Sequence, residues 1–371
     1  MVTIMRKPGI IIYAAGSSEW IGGIYYAKNI LYQLSINKII NKNYSIYVFT
    51  NQICKDVFTN LKNVKVIVSK SGSKLDFMKA IFFYNIRYRY PGFKNIGLCK
   101  AISWIPDFQQ ECMSDMFPEK EIEEKRLERQ QIVIHNYPLI LSSNDSLNQF
   151  RKYYSIEKQN VYVMHFVSYI EPEIRKISSS YESEVLLGCK LKNKKYIYIA
   201  NQFWKHKNHI VVLEAIRQII DFTEFLFVFS GKMSDYRNPD YIKKIESLFD
   251  ELGATGKVYN LGFLDRTKQL VIMKNCEFLI QPSLFEGWGT VVEDAKILDK
   301  TVLLSDIPVH REQKNEKCIL FDPFDALALA KLICEEEKKQ HFSDIEKGIA
   351  NMKKSALKYS EQFAKLLEEE Q

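Results

Sequence analysis

Pro282-Ser283-Leu284-Phe285-Glu286-Gly287-Trp288-Gly289-Thr290-Val291-Val292-Glu293-Asp294-Ala295-Lys296 is the stretch from which the chain is best read. The apolar run Phe278–Gln281 stands just before it and reads as a buried strand. Thr290–Leu298 then spaces its apolar residues as an amphipathic helix does. The stretch is therefore a strand-to-helix turn. Gly287 and Gly289 let backbone amides approach a ligand closely. The helix starting near Thr290 aims unpaired N–H groups and the positive end of its dipole at the same place. A diphosphate suits that combination. Glu286, on the loop, can accept hydrogen bonds from hydroxyls. Glu293 and Asp294 follow on the helix, near a bound ribose or sugar. A plain turn with an acid at the helix start would explain Glu293 alone, not the whole string.

The same alternation extends in both directions. Upstream lie a strand over Lys195–Ala200, a helix over His209–Ile220, a strand over Phe225–Ser230, a short strand over Val258–Leu261 and a helix over Thr267–Asn275. Downstream, Val302–Ser305 reads as a strand. The front of the chain repeats the pattern: strand Gly9–Ala15, helix Ile24–Leu34, strands Ser45–Thr50, Val64–Val68, Leu98–Ile105 and Leu139–Ser142. Glu119–Gln131, rich in both charge signs, reads as an exposed helix. Alternating strands and helices imply mostly parallel sheets covered on both faces. The expected fold class is α/β, with two doubly wound Rossmann-like domains facing across a cleft at the carboxyl ends of their strands. The expected boundaries are residues 1–175 and 193–345. Between them, about Tyr169 to Lys195, lacks clean periodicity and reads as the linker. Residues 346–371 form a C-terminal helix expected to pack back toward the first domain.

The composition fits a two-domain soluble protein of 371 residues, with 46% hydrophobic and 26% charged residues. A net charge of +7 without any block of five Lys or Arg argues against a dedicated nucleic-acid binder. The seven cysteines are scattered, with no Cys-x-x-Cys pair, so neither a disulfide framework nor a zinc site is expected and a cytoplasmic setting fits. No stretch approaches 18 apolar residues. Arg6 and Lys7 before Ile10–Ala15 mimic a signal peptide, but the apolar core is short and a first buried strand is the better reading.

Two more strand-to-helix turns carry chemistry. Ala200-Asn201-Gln202-Phe203-Trp204-Lys205-His206-Lys207-Asn208-His209 places Asn208 to cap a helix and Lys207 at that helix's N-terminal end, where an ammonium reaches phosphate oxygens. His206 and His209 have no acidic or cysteine partners nearby and read as a surface pair, not a metal site. Glu19-Trp20-Ile21-Gly22-Gly23-Ile24-Tyr25-Tyr26 offers a glycine turn between the first strand and first helix. No Gly-x-Gly-x-x-Gly follows Gly9–Ala15, which disfavours a dinucleotide-dependent oxidoreductase.

These turns together resemble the family 4 (group 1) retaining glycosyltransferases of GT-B architecture, of the bacterial surface-glycan type. That family's signature is two acids separated by seven residues in a context like Glu-Gly-Phe-Gly. The first acid falls on Glu286. The second falls on Asp294, with Glu293 one position early. The resemblance implies a donor-sugar contact for Glu286 and a ribose contact for the second acid. It implies phosphate binding for Lys207, with Gln202 where the family commonly has Arg, and a glycine loop at Gly22 and Gly23 against the donor phosphates. Gly231 and Gly262-Phe263-Leu264 would flank the nucleobase. Gly287, Trp288, Gly289 and Thr290 would complete the donor site. Asp107, in Trp104-Ile105-Pro106-Asp107-Phe108-Gln109, stands where members often have His-Asp, and is grouped with Lys207 and Glu286 as a catalytic candidate; a simple turn explains it equally well. Ser305–Glu312 is expected to form cleft wall. The implied activity is metal- and cofactor-free transfer of a sugar from a nucleotide-sugar to a glycan or lipid-linked glycan acceptor. The alternatives are a nucleotide-sugar epimerase of the same fold and a catalytically silent sugar-nucleotide or polysaccharide binder.

Lys74–Lys100 mixes Phe77, Phe82, Phe83, Tyr84, Tyr88, Tyr90 and Phe93 with Lys79, Arg87, Arg89 and Lys94. Read as a surface, it suits an anionic membrane on its inner face. Read as a helix and loop, its aromatics are core and its cations face water.

Overall fold

The computed structural model describes residues 7–15, 21–70, 73–154 and 160–371. Glu19 and Trp20 of the first glycine turn lie outside them. The chain forms two compact units. One comprises residues 1–108, 120–169 and 352–371, and the other residues 109–119 and 170–351.

In the first unit, β1 (Gly9–Tyr13), β2 (Ser45–Asn51), β3 (Val64–Ser69), β4 (Ile86–Tyr90) and β5 (Lys100–Ala101) form a parallel sheet of order β3-β2-β1-β4-β5. Ile10, Ile11 and Ile12 are fully buried, as a central strand covered on both faces requires. A smaller parallel sheet joins β6 (Ser103–Ile105), β7 (Leu139–Leu141) and β8 (Val161–Val163). The single strand expected over Leu98–Ile105 is thus two strands in two sheets. Between them, Ile102 bonds the backbone that flanks the turn after β4: its N–H donates to Arg89 O at 3.0 Å and its carbonyl accepts from Gly92 N at 2.8 Å. The long helix Ile345–Glu369 supplies Tyr359 and Phe363 to this unit's core, where Phe363 meets Tyr90 edge-on at 5.6 Å.

The second unit has a six-stranded parallel sheet of β9 (Tyr196–Ala200), β10 (Leu226–Ser230), β11 (Val258–Asn260), β12 (Phe278–Gln281), β13 (Thr301–Ser305) and β14 (Cys318–Phe321), ordered β11-β10-β9-β12-β13-β14. The order reverses between β9 and β12. In such sheets ligands bind at that point, outside the carboxyl ends of the strands. The helices His209–Ile219 and Ala326–Glu337 bury their apolar stripes on this sheet, with Val212, Leu213, Ile216, Leu329 and Ile333 in one core with Phe227, Phe229 and Ile280.

The linker expected over Tyr169–Lys195 is instead two helices, Glu171–Lys176 and Ser179–Gly188. Ser178, read as loop punctuation, is an N-cap whose hydroxyl accepts from Tyr181 N at 3.2 Å. Glu182 anchors the second helix through Lys274 at 2.5 Å and Asn275 at 2.8 Å.

Candidate active site

The site forms where the loops after β9 and β12 leave the sheet. Asn201 and Gln281 exchange side-chain amide hydrogen bonds of 2.9 and 3.2 Å, tying the carboxyl ends of the two strands together. Gln281 Nε2 also donates to Glu286 Oε1 at 3.1 Å, and Ser283 Oγ donates to the same oxygen at 2.7 Å. Lys207 Nζ completes the set at 2.5 Å. The two charged side chains are 15% and 11% exposed, so the pair is largely withdrawn from water yet reachable. Burial alone would raise the Glu286 carboxyl. The Lys207 ammonium beside it outweighs that and lowers it from 4.5 to about 2, so Glu286 is a carboxylate at neutral pH.

Lys207 ends a short 3-10 turn, Lys205–Lys207, and Asn208 follows with φ +55°. Asn208 holds the N-cap position of the next helix, but its side chain does not cap it. Its amide donates to Pro323 O at 2.8 Å and Pro282 O at 3.2 Å, fastening the Lys207 loop to the Glu286 loop. His206 strengthens the same join, its carbonyl accepting from Leu284 N at 2.8 Å. His206 and His209 are not a surface pair. Both are buried, and His209 stacks on Phe203 at 4.2 Å. Burial, and then the charge of Lys207, hold both imidazoles down at about 3. His310 is also buried, its Nδ1 within 3.0 Å of Ser305 O, and burial brings it to about 4 against the pull of Glu286.

The helix Thr290–Ile297 begins after Gly289. Gly287 is buried and Trp288 and Thr290 half-buried at its entrance. The Gly289 amide, expected to face a ligand, is taken up: it donates to Gln313 Oε1 at 3.1 Å, and Gln313 Nε2 returns a 2.8 Å bond to Gly289 O. Gln313 also reaches Glu293 Oε1 at 2.9 Å, which Lys296 Nζ meets at 2.8 Å. Asp294 points elsewhere. Fully buried, it receives both Arg266 terminal nitrogens at 2.6 Å each. Arg266 opens the helix after the Gly262–Leu264 loop. Asp294, not Glu293, is therefore the acid joined to that loop.

Gln202, Gly231 and Gly262 come together at the ends of β9, β10 and β11. Gln202 Oε1 accepts from Lys232 N at 2.8 Å, and Gly231 N donates to Gly262 O at 2.9 Å. Only glycine fits at 231, where φ is +150° and a Cβ would lie 2.0 Å from Asn201 O. Gly262 has φ +66°, Phe263 is exposed and Leu264 half-buried. On the segment Ser305–Glu312, Arg311 is a surface residue, paired with Asp306 at 2.5 Å.

The remaining candidates belong to the first unit. Gly22 and Gly23 lie in the first turn of a helix, Ile21–Ser35, that starts three residues before Ile24, not in a loop; a Cβ at Gly22 would meet no described atom within 4 Å. Asp107 is half-buried, and its carbonyl accepts from Arg129 Nη2 at 2.9 Å. Among the described residues, no three His, Cys, Asp or Glu side chains cluster as a metal site would require.

Sequence reading did not single out Asn201, Gln281, Ser283, Arg266, Gln313 or His310 as site members. The first three are uncharged and act only through the fold. Arg266 carried one signal, a cation at the first position of the helix after a glycine loop.

The second unit is a doubly wound α/β domain with a lysine–carboxylate pair at its switch point, the place where such sheets bind ligands. Residues 189–357 match the family described as glycosyl transferases group 1. Those residues carry a glycosyltransferase domain. HepE of Anabaena, crystallised with UDP and glucose, matches at TM-score 0.67 and 15% identity, over 97% of this chain and 99% of that one. Sucrose-phosphate synthase of Thermosynechococcus elongatus matches at 0.62 and 15%, over 97% and 94%. WaaG, a glycosyltransferase involved in lipopolysaccharide biosynthesis, matches at 0.60 and 11%, over 95% of each chain. At these identities the likeness establishes the fold, that of the GT-B glycosyltransferases. No curated protein sequence matches the chain.

Proposed function

We propose that the protein is a family 4-type retaining glycosyltransferase that moves a sugar from a nucleotide-sugar to a glycan or lipid-linked glycan, in surface polysaccharide biosynthesis. The observation that carries this reading is the Lys207–Glu286 pair at the β9/β12 switch point. Lys207 neutralises the departing diphosphate, helped by amides of the loop before Thr290, and charge developing on the leaving group is what such a site must stabilise. Glu286, fixed by Gln281 and Ser283, accepts hydrogen bonds from donor-sugar hydroxyls. Asp294, fully buried, acts toward the ribose only through the Arg266 side chain that it fixes. A leaving-group oxygen accepts the acceptor's proton on the same face, so no protein nucleophile is required, and Lys207 supplies the positive charge in place of a metal. HepE, with UDP and glucose in its crystals, and WaaG, named for lipopolysaccharide biosynthesis, support a nucleotide-sugar donor and a surface-glycan setting.

The test is a panel of nucleotide sugars with and without glycan acceptors, in the presence of EDTA, with products read by NMR. Transfer with retained anomeric configuration is expected. An altered sugar formed from the donor alone would mean an epimerase, and binding without turnover a silent receptor.

Peripheral membrane attachment from the cytoplasmic side is part of this reading. The Lys74–Lys100 stretch divides in the structure. Phe77, Tyr88 and Tyr90 are core, whereas Phe82, Phe83 and Leu98 are 66%, 68% and 80% exposed. Arg89 is spent on Lys94 O, and Arg87 Nη1 reaches Leu98 O at 3.4 Å. Among the described residues, no helix is long and apolar enough to cross a membrane. Flotation with anionic vesicles is expected, falling with salt and lost on Phe82→Ser with Phe83→Ser. Equal flotation of the variant, or none by the wild type at low salt, contradicts the attachment.

A further inference from the structure

The first unit contains a cavity of about 640 Å³ that the reading above does not use. It lies at the opposite edge of the sheet from the carboxyl strand ends. Its walls come from the helix Lys38–Asn43, which leads into β2 at Ser45, and from Asn60–Asn63, which lead into β3 at Val64. In a parallel sheet those are the amino ends, away from the usual ligand edge of a doubly wound fold.

The chemistry of the cavity is one-signed. Lys38 and Lys42 stand four apart on one helix, Lys62 comes from the facing loop, and among the described residues no acidic side chain lines the space. None of the three makes an ion pair with a described residue, while Lys7 adds a further ammonium at the rim, donating to Asn41 O at 3.1 Å. Like charges at i,i+4 repel, and a third facing them adds to that; a bound anion offsets the repulsion. The floor is fixed in advance. Asn41 and Asn63 both donate their side-chain amides to Ser35 O, at 2.6 and 3.2 Å. One wall is the stacked pair Tyr32 and Tyr169, centroids 3.6 Å apart, with Lys28 over the Tyr169 ring at 5.7 Å. Tyr169 N is held by the buried Asn29 at 2.8 Å. Clustered cations, a fixed polar floor and a flat aromatic wall are the parts of a site for an anionic ring compound.

We propose that this cavity binds a phosphate-bearing ligand, a second site independent of the proposed sugar transfer and of Lys207. The phosphate can come from a soluble sugar phosphate or from a lipid headgroup, and the experiment separates the two. Glucose 6-phosphate, and separately phosphatidylglycerol and phosphatidylcholine vesicles, are titrated into the full chain. The proteins compared are the wild type, Lys207→Ala, the triple Lys38→Ser, Lys42→Ser, Lys62→Ser, and the same triple to Arg. Binding of glucose 6-phosphate that survives Lys207→Ala and the Arg triple but weakens at least tenfold in the Ser triple is the expected result. The same pattern with phosphatidylglycerol vesicles alone assigns the site to a headgroup and also supports it. Equal binding by the wild type and the Ser triple, or no binding of either probe at millimolar phosphate, overturns the proposal. All three lysines are exposed, so the variants fold; unchanged melting temperatures verify this.

Discussion

Lys207→Ala lowers donor turnover at least tenfold, and it lowers the melting temperature as well, because it leaves the largely buried Glu286 carboxylate without its ammonium partner. A charge-assisted contact to phosphate is worth roughly 1.5–3 kcal/mol, and about 1.4 kcal/mol is a factor of ten. Two nearby side chains do not replace it. Gln202, where related enzymes commonly carry Arg, is neutral and its side-chain oxygen is engaged by Lys232 N. Arg266 is committed to Asp294. Glu286→Gln acts on the other half of the pair. It keeps the shape that Gln281 and Ser283 hold but removes the charge, so turnover falls more than stability does. Steady-state kinetics beside thermal unfolding decide the matter. Wild-type kinetics in Lys207→Ala would falsify the phosphate role, and parallel losses of stability and activity in Glu286→Gln would make that residue structural.

The acid limb of stability carries a second mark of the pair. The Glu286 carboxyl is lowered in the folded state, so its contribution is complete above about 4.5 and is lost as pH falls toward about 2. Glu286→Gln removes that dependence.

Much of this site was legible from residues because its two charges sit at the ends of continuous apolar runs. Tyr196–Ala200 and Phe278–Gln281 leave no reading but buried strands, and Lys207 and Glu286 follow them within loops that lead to helices. What could not be read were the contacts between distant segments. Asp294 is 28 residues from Arg266, and Gln313 is 24 from Gly289; both pairings exist only once the sheet has been assembled. Two misreadings had signals that local composition obscured. Ser178 with Glu182 in the following first turn marks a helix start, yet the surrounding serines and lysines look like linker. His209, Val212, Leu213 and Ile216 are spaced as one apolar helix stripe, which places His209 inside. A polar residue type was read as surface when its position said core.

Those buried histidines set up the second large effect: together they take about 4 kcal/mol from stability between pH 7.5 and 5.5. His206, His209 and His310 are held neutral by burial, at about 3, 3 and 4. Unfolded, each takes up a proton near its ordinary 6.5. A group lowered in the folded state stabilises fully above 6.5 and loses that contribution as pH falls toward its folded value. Over this window each histidine contributes a loss of about 1.4 kcal/mol, and three contribute about 4. The figure needs only that the folded values lie about a unit or more below 5.5. The arrangement also bears on the site, since neutral His206 and His310 leave Lys207 as its cation and add no charge to compete for Glu286. His209 offers the clean control. The ring stacks on Phe203, and the polar contact that bears on its charge is with the Asn201 backbone. His209→Phe keeps the stack and removes one proton from the linkage, so its loss over the same window shrinks to about two-thirds of the wild-type value. Urea unfolding at half-unit steps of pH measures both slopes. A flat wild-type profile from pH 7.5 to 5.5 would mean that these imidazoles are protonated in the folded protein, and an unchanged slope in His209→Phe would remove that residue from the account.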